Sequence, residues 1–130
     1  MKLLNIPRKQ IGYHRLRSGN RMKKKEHVVH KPWGQEIWLE NDEKNNYCGK
    51  ILKIKAGHRF SCHFHLRKTE TFYCSKGELK IWLIDTTDGS LHEGKMREGE
   101  CLQIHPLVPH EVQAITDIEI VEFSTFHRDE

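Results

Sequence analysis

Residues 57–77 read GHRFSCHFHLRKTETFYCSKG, and this stretch decides the fold. His63 and His65 are two positions apart in a predicted strand, Arg59–His65, so both imidazoles should point to one face of it. Glu70 follows after the four residues LRKT, which is a suitable length for a turn. The spacing therefore predicts a hairpin that lays the strand of Glu70 beside the strand of the two histidines.

A fourth candidate ligand lies far downstream. His110 follows the stretch HPLVP, which contains two prolines, and it opens another β-rich segment. One histidine on a strand is usually a satisfied surface or core residue, but three imidazoles and a carboxylate from three strands suit a divalent metal. We predict one divalent transition metal ion (Mn, Fe, Ni, Co or Zn) held by His63, His65, Glu70 and His110.

The glycines around the first three ligands follow a stricter pattern. Gly57, His63, His65, Glu70 and Gly77 fill every fixed position of the first cupin motif, G-x5-H-x-H-x(3,4)-E-x6-G. Over about residues 28–126 the chain resembles the cupin superfamily. The resemblance implies an all-β fold, the double-stranded β-helix or jelly-roll barrel, with the metal inside the barrel.

The second cupin motif, G-x5-P-x-G-x2-H-x3-N, is matched only in part. Gly99 and His110 stand at the required spacing, but His105, Leu107 and Ala114 replace the Pro, Gly and Asn. These departures affect the expected turn geometry and leave the metal ligand in place.

The rest of the chain agrees with an all-β fold. From residue 27 on, short segments rich in Ile, Phe, Tyr, Trp and Val alternate with turn residues such as Asp-Gly and Lys-Gly. Besides Arg59–His65, the predicted strands are Gln35–Glu40, Tyr47–Lys55, Glu70–Cys74, Glu78–Asp85, Glu100–Ile104, His110–Ile115 and Ile118–Ser124.

Charge divides the 130-residue chain into two parts. Residues 1–26 hold nine Lys or Arg against one Glu, whereas the net charge of the whole chain is only +4. We predict a basic tail over 1–26, disordered or an annotation extension before a second candidate start at Met22, and one cupin domain over 27–130. The chain shows no apolar run of membrane-spanning length and no signal peptide, so we expect a cytoplasmic protein without membrane contact.

A second resemblance concerns activity. The stretch HKPWG at 30–34 and the ending VEFSTFHRDE look like those of cupins similar to type II mannose-6-phosphate isomerase. This implies a sugar or sugar-phosphate substrate and an isomerase or epimerase reaction through a metal-held enediolate. Two alternatives remain open: a metal-dependent dioxygenase, which would use the same ligands, and a non-enzymatic sugar-binding or regulatory module.

Strand parity and position suggest further site residues. Glu122 is predicted to face inward as a catalytic base with a raised pKa, and Lys53 is a second catalytic candidate. The substrate-binding candidates are Gln103, by parity with its strand neighbours, and Arg59 and Arg67, which flank the motif and suit a phosphate at the barrel mouth.

Two predictions concern partners. The cupin resemblance implies a homodimer. The basic tail is a candidate arm for a nucleic acid or an acidic partner, with binding that weakens as salt rises.

Overall fold

Alternation of apolar and polar residues builds the strands. In β3 the side chains of Cys48, Lys50, Leu52 and Ile54 are buried and those between them are more exposed, so one face of the strand packs inward. The structure, a computed structural model, describes residues 23–129. The strands are β1 His27–Lys31, β2 Gly34–Asp42, β3 Tyr47–Ile54, β4 Glu70–Lys76, β5 Glu78–Ile84, β6 Leu91–Arg97, β7 Cys101–Ile104, β8 His110–Ala114 and β9 Ile118–Ser124.

The strands form two antiparallel sheets. The larger sheet has the order β1-β2-β3-β9-β4-β7, and the smaller has the order β6-β5-β8. The inner faces of both sheets contribute to one apolar core, in which Ile54, Phe72 and Ile120 of the larger sheet join Leu79 and Val112 of the smaller one. Burying each of these side chains contributes about 1.5–3 kcal/mol. The all-β prediction is confirmed, and the two antiparallel sheets match cupin structures.

The segment that carries His63 and His65 differs from the prediction. Arg59–His65 is not a continuous strand, because only two isolated bridges form, Arg59 with Gln113 and His63 with His110. His63 and His110 exchange both backbone hydrogen bonds, at 3.1 and 2.9 Å. The segment therefore lies along β8 at the open edge of the smaller sheet.

The predicted hairpin is also corrected. β4, which begins at Glu70, pairs with β7 and β9 in the larger sheet and not with the histidine segment. The residues between His65 and Glu70 cross from one sheet to the other. As a result, Glu70 approaches the histidines from the opposite side of the barrel.

The predicted division at residue 26 falls near the start of β1 at His27. Most of the predicted tail, residues 1–22, lies outside the described residues, so that prediction stays open. Within residues 23–129, no helix is long and apolar enough to cross a membrane.

Candidate metal centre

Three histidines meet at one end of the barrel interior. The ring centroids of His63 and His110 are 4.5 Å apart, and those of His63 and His65 are 5.0 Å apart. One ring nitrogen from each of the three lies within 4.8 Å of the other two. His110 is buried, His65 half-buried and His63 exposed, so the cluster reaches from the interior toward solvent.

Backbone carbonyls fix the tautomers of two of these rings. Nδ1 of His63 lies 2.9 Å from the carbonyl oxygen of Ser61, and Nδ1 of His110 lies 2.9 Å from that of Val108. A carbonyl only accepts, so each Nδ1 carries the hydrogen and each Nε2 keeps its lone pair. This is the arrangement that orients a histidine for metal binding. Burial lowers the pKa of His63, which also favours the neutral, ligating form.

Glu70 completes the cluster from the other sheet. Its Oε1 lies 3.0 Å from Nε2 of His110 and 3.8 Å from Nε2 of His65. Burial opposes ionisation of Glu70, but its contacts with His110 and Lys68 outweigh that effect and lower its pKa to about 2. The residue is therefore a carboxylate at neutral pH.

Two polar atoms in this cluster lack hydrogen-bond partners. Among the buried side-chain atoms of residues 23–129, only Glu70 Oε1 and His110 Nε2 are in this state. With the hydrogen of His110 on Nδ1, His110 Nε2 and Glu70 Oε1 are two acceptor atoms that face each other at 3.0 Å, which costs free energy unless a proton or a metal cation lies between them. Three imidazole nitrogens and one carboxylate oxygen fit a divalent transition metal. The histidine cluster is thus a candidate site for such an ion.

Two buried lysines lie behind the cluster. Lys68 Nζ is 3.3 Å from Glu70 Oε2 and 2.6 Å from Glu122 Oε2. Burial alone would lower the pKa of Lys68, but the two carboxylates raise it, so the ammonium stays charged. Burial raises the pKa of Glu122, although the neighbouring ammonium opposes this.

Lys50 lies in the same cavity with weaker partners. Its Nζ is 3.5 Å from Glu36 Oε1 and 3.7 Å from the ring centroid of Trp38, a cation–π contact. Burial lowers the pKa of Lys50 despite the nearby carboxylates.

His127 comes from the C-terminal end of the chain and contacts both lysines. Its Nδ1 is 3.3 Å from Lys50 Nζ and 3.0 Å from Lys68 Nζ. Burial and the two ammonium groups lower the pKa of His127 to about 3. His127 is therefore neutral and accepts hydrogen bonds at Nδ1.

These side chains enclose a cavity of about 170 Å³. Its wall is partly apolar and partly charged, and both lysines, Glu70 and two of the three histidines reach it. The lining residues are Lys31, Trp33, Glu36, Lys50, Leu52, Phe60, His63, His65, Lys68, Glu70, Phe72, Glu122 and His127.

The two predicted catalytic residues, Glu122 and Lys53, lie on opposite faces of the larger sheet. Glu122 lines the cavity and is buried, as its parity indicated, and burial raises the pKa of its carboxyl. Lys53 does not face this cavity, and its catalytic role stays a prediction. It lies on the outer face of β3, exposed, with Nζ 3.8 Å from Glu119 Oε1, because it has the opposite parity to the inward-facing Leu52.

The three predicted substrate-binding residues do not line this cavity, and their role stays a prediction. Arg59 is exposed, with Nε 3.9 Å from Glu111 Oε1, and does not line the cavity. Arg67 is exposed and also absent from the cavity wall. Gln103 is exposed because its neighbours Leu102 and Ile104, on the other face of β7, are the ones that turn inward.

Sequence reasoning missed Lys50, Lys68 and His127. Parity could have found Lys50, which alternates in phase with Leu52 and Ile54. No comparable signal exists for the other two. Lys68 lies in the crossing between sheets and His127 beyond the last strand, where no period applies.

No protein-family model and no curated protein matches the sequence. Solved structures do match. CapF from Staphylococcus aureus, a capsular polysaccharide assembling protein, is 16% identical with a TM-score of 0.70, over 85% of this chain and 31% of that one. Oxalate decarboxylase from Bacillus subtilis, a protein with Mn(II) centres, is 17% identical with a TM-score of 0.69, over 81% and 28% of the two chains.

A third match is similar in length. KdgF from Halomonas sp. is 16% identical with a TM-score of 0.66, over 84% of this chain and 92% of that one. The chain thus spans less than a third of CapF and oxalate decarboxylase but nearly all of KdgF. These likenesses show a shared cupin fold. The link to mannose-6-phosphate isomerase rests on the sequence resemblance alone.

Proposed function

We propose that this chain is a metal-dependent cupin enzyme with isomerase or epimerase-like chemistry on a small sugar. The observation that carries the proposal is the pair Glu70 Oε1 and His110 Nε2, two buried acceptors that face each other at 3.0 Å. A divalent ion held by His63, His65, Glu70 and His110 satisfies both. When bound, it supplies Lewis-acid stabilisation of negative charge that develops on substrate oxygens.

Glu122 is the base in this proposal. Its Oε2 accepts a hydrogen bond from Lys68 at 2.6 Å, which leaves Oε1 to take a proton from a substrate carbon. Burial raises the pKa of its carboxyl toward the range in which a base both accepts and returns a proton. Glu70 is unsuited to this role because its pKa is about 2 and its Oε1 is directed at the histidines.

The cavity favours a small substrate. A volume of about 170 Å³ is below the usual range for ligand sites, about 300–1,000 Å³. The exposed positions of Arg59 and Arg67 give no support to a phosphate group. We therefore propose a substrate with adjacent carbonyl and hydroxyl groups that is no larger than a monosaccharide.

The experiment measures metal content first and proton transfer second. The purified full-length protein should hold about one equivalent of a transition metal by elemental analysis, and His63→Ala/His110→Ala should hold none. The metal-loaded protein, incubated in D₂O with a panel of aldoses, ketoses and hydroxy-carbonyl compounds, should place deuterium on carbon in at least one of them. Glu122→Gln should lower that exchange by at least about 100-fold, as expected for a general base, and keep its metal.

Glu119→Gln is the matched control, because Glu119 is on the same strand but outside the metal cavity. Its exchange rate should equal that of the unmodified protein. A protein that takes up no Mn, Fe, Ni, Co or Zn would refute the metal site. Metal-dependent oxygen consumption without carbon-bound deuterium would replace the isomerase proposal with the dioxygenase. Sugar binding without exchange would replace it with the binding module.

A further inference from the structure

The C-terminal segment is hydrogen-bonded to the end of β2 and to the turn that follows it. Asn41 accepts a hydrogen bond from the backbone N–H of His127 at 2.9 Å, and its Nδ2 donates to the His127 carbonyl at 3.1 Å. Asn46 Oδ1 accepts from the backbone N–H of Phe126 at 3.1 Å. Two asparagine side chains thus hold the segment after β9 in one position against the end of the barrel.

This attachment directs the His127 side chain into the metal cavity. The imidazole packs edge to face with the indole of Trp38, with centroids 5.1 Å apart, and its centroid is 5.6 Å from that of His65. Its Nδ1 is within hydrogen-bond distance of the ammonium groups of both Lys50 and Lys68. Since ammonium groups only donate, Nδ1 must be the acceptor and the hydrogen must be on Nε2.

Lys68 connects His127 to the candidate metal ligands. The three hydrogens of its ammonium have three acceptors: Glu122 Oε2, Glu70 Oε2 and His127 Nδ1. Without the acceptor on His127, the ammonium is free to rotate and to move toward Glu122, its nearest partner. The hold on Glu70 Oε2 would then weaken, and with it the direction of Glu70 Oε1.

We infer that His127 is a positioning residue of the metal centre, which acts through Lys68 to keep Glu70 Oε1 directed at the three histidines. The inference rests on the proposed metal site and extends it to the C-terminal segment. The segment therefore forms part of the cavity wall. The atom that positions Lys68 is Nδ1 of His127, which accepts its hydrogen bond. Partners of this kind usually change metal affinity by about 10- to 100-fold.

The test measures Mn²⁺ affinity of the full chain by calorimetry, so it does not depend on finding a substrate. His127→Phe keeps a ring of similar shape but has no acceptor, and we expect a loss of at least about tenfold in affinity. His127→Asn places an amide oxygen on the same carbon that carries Nδ1 and should stay within about threefold of the unmodified protein. His92→Phe, a change of an exposed histidine on β6, is the matched control and should have no effect.

A second variant covers the case in which His127→Phe does not fold. Asn41→Ala leaves the imidazole in the chain but removes the two hydrogen bonds to its backbone, so it should weaken Mn²⁺ binding in the same direction. Unchanged affinity in both His127→Phe and Asn41→Ala would overturn the inference. Equal losses in His127→Phe and His127→Asn would also overturn it, because the acceptor would then be irrelevant. If the unmodified protein binds no metal, the proposed function fails together with this inference. If it binds metal and the variants bind it equally well, only this inference fails.

Discussion

At the residue scale, the most consequential side chain outside the candidate ligands is Lys68. It is 3% exposed and contacts two carboxylates that are also buried, those of Glu70 and Glu122. A buried ion pair adds little to stability compared with an apolar pair of the same shape. Removal of one partner is different, because it leaves a charge with neither water nor a counter-ion.

Lys68→Met should therefore destabilise the protein strongly. We expect the free energy of unfolding, from urea denaturation of the chelator-treated protein, to fall by about 3–5 kcal/mol. Lys53→Met is the matched control. Its ion pair with Glu119 is exposed, so it should cost less than about 1 kcal/mol. Similar losses in the two variants would show that Lys68 is not a buried counter-ion in solution.

The clustering of His63, His65, Glu70 and His110 was predicted from their spacing in the cupin motifs, although the hairpin expected between the histidine segment and the Glu70 strand does not form. His63 bridges directly to His110, and Glu70 begins the next strand. No motif or spacing predicts the residues that lie behind the ligands. Lys68 and His127 meet only because the crossing between the sheets and the end of the chain converge, and no periodic pattern carries that information.

At the element scale, the sharp corner between β4 and β5 sets where the smaller sheet begins. Gly77 is the single residue between the two strands, with φ of +84°. A Cβ at this position would lie 2.4 Å from the carbonyl oxygen of Asp117 and 2.6 Å from Oγ1 of Thr116. Gly99, the first glycine of the second motif, has a similar φ of +88°, but a Cβ there would contact nothing within 4 Å.

These two glycines give a matched pair. Gly99→Ala should cost about 1–2 kcal/mol, the strain of a left-handed backbone alone. Gly77→Ala adds a collision with backbone atoms and should cost on the order of 3–4 kcal/mol. Thermal and urea unfolding of both variants provides the measurement. Equal costs would mean that the corner relaxes and that its close packing is unimportant.

Alternation of buried and exposed residues decides which strands can be predicted from the sequence. β3, β8 and β9 alternate between buried and exposed residues and were predicted. β1 and β6 were missed because nearly all their residues are exposed, so hydrophobicity does not alternate along them. Arg59–His65 was predicted as a strand from its composition, but it has a partner on one side and forms only isolated bridges.

At the scale of the whole molecule, the candidate metal centre joins the two sheets. His63, His65 and His110 lie on the edge of the smaller sheet, whereas Glu70 and Glu122 belong to the larger one. His127 brings a third part of the chain, the segment after β9, to the same site. The homodimer, the cytoplasmic location and a partner for the basic tail stay predictions from the sequence.

Because neutral, partly buried histidines from different parts of the chain meet at one place, the metal-free protein should lose stability in acid. The folded-state pKa is lowered to about 4 for His65 and to about 3 for His127, from 6.5. Below pH 6.5 the unfolded chain binds these protons and the folded protein does not, so unfolding is favoured as pH falls. Each histidine contributes up to about 1.4 kcal/mol per pH unit between 6.5 and its folded pKa. Glu122, with a raised pKa, opposes the trend.

Urea denaturation of the chelator-treated protein at pH 7, 6, 5 and 4.5 measures this loss. The free energy of unfolding should fall as pH falls, with the steepest decline below pH 6.5. His127→Asn and His65→Gln should each reduce the slope of free energy against pH by up to about 1.4 kcal/mol per pH unit, the contribution of one proton, since neither new side chain titrates. His92→Gln should leave the slope unchanged, because His92 is exposed on the outer strand of the smaller sheet. A stability independent of pH between 7 and 4.5 would mean that these imidazoles are as well solvated in the folded protein as in the unfolded chain. The cavity would then be open to water and unsuited to the proton transfer that we propose for it.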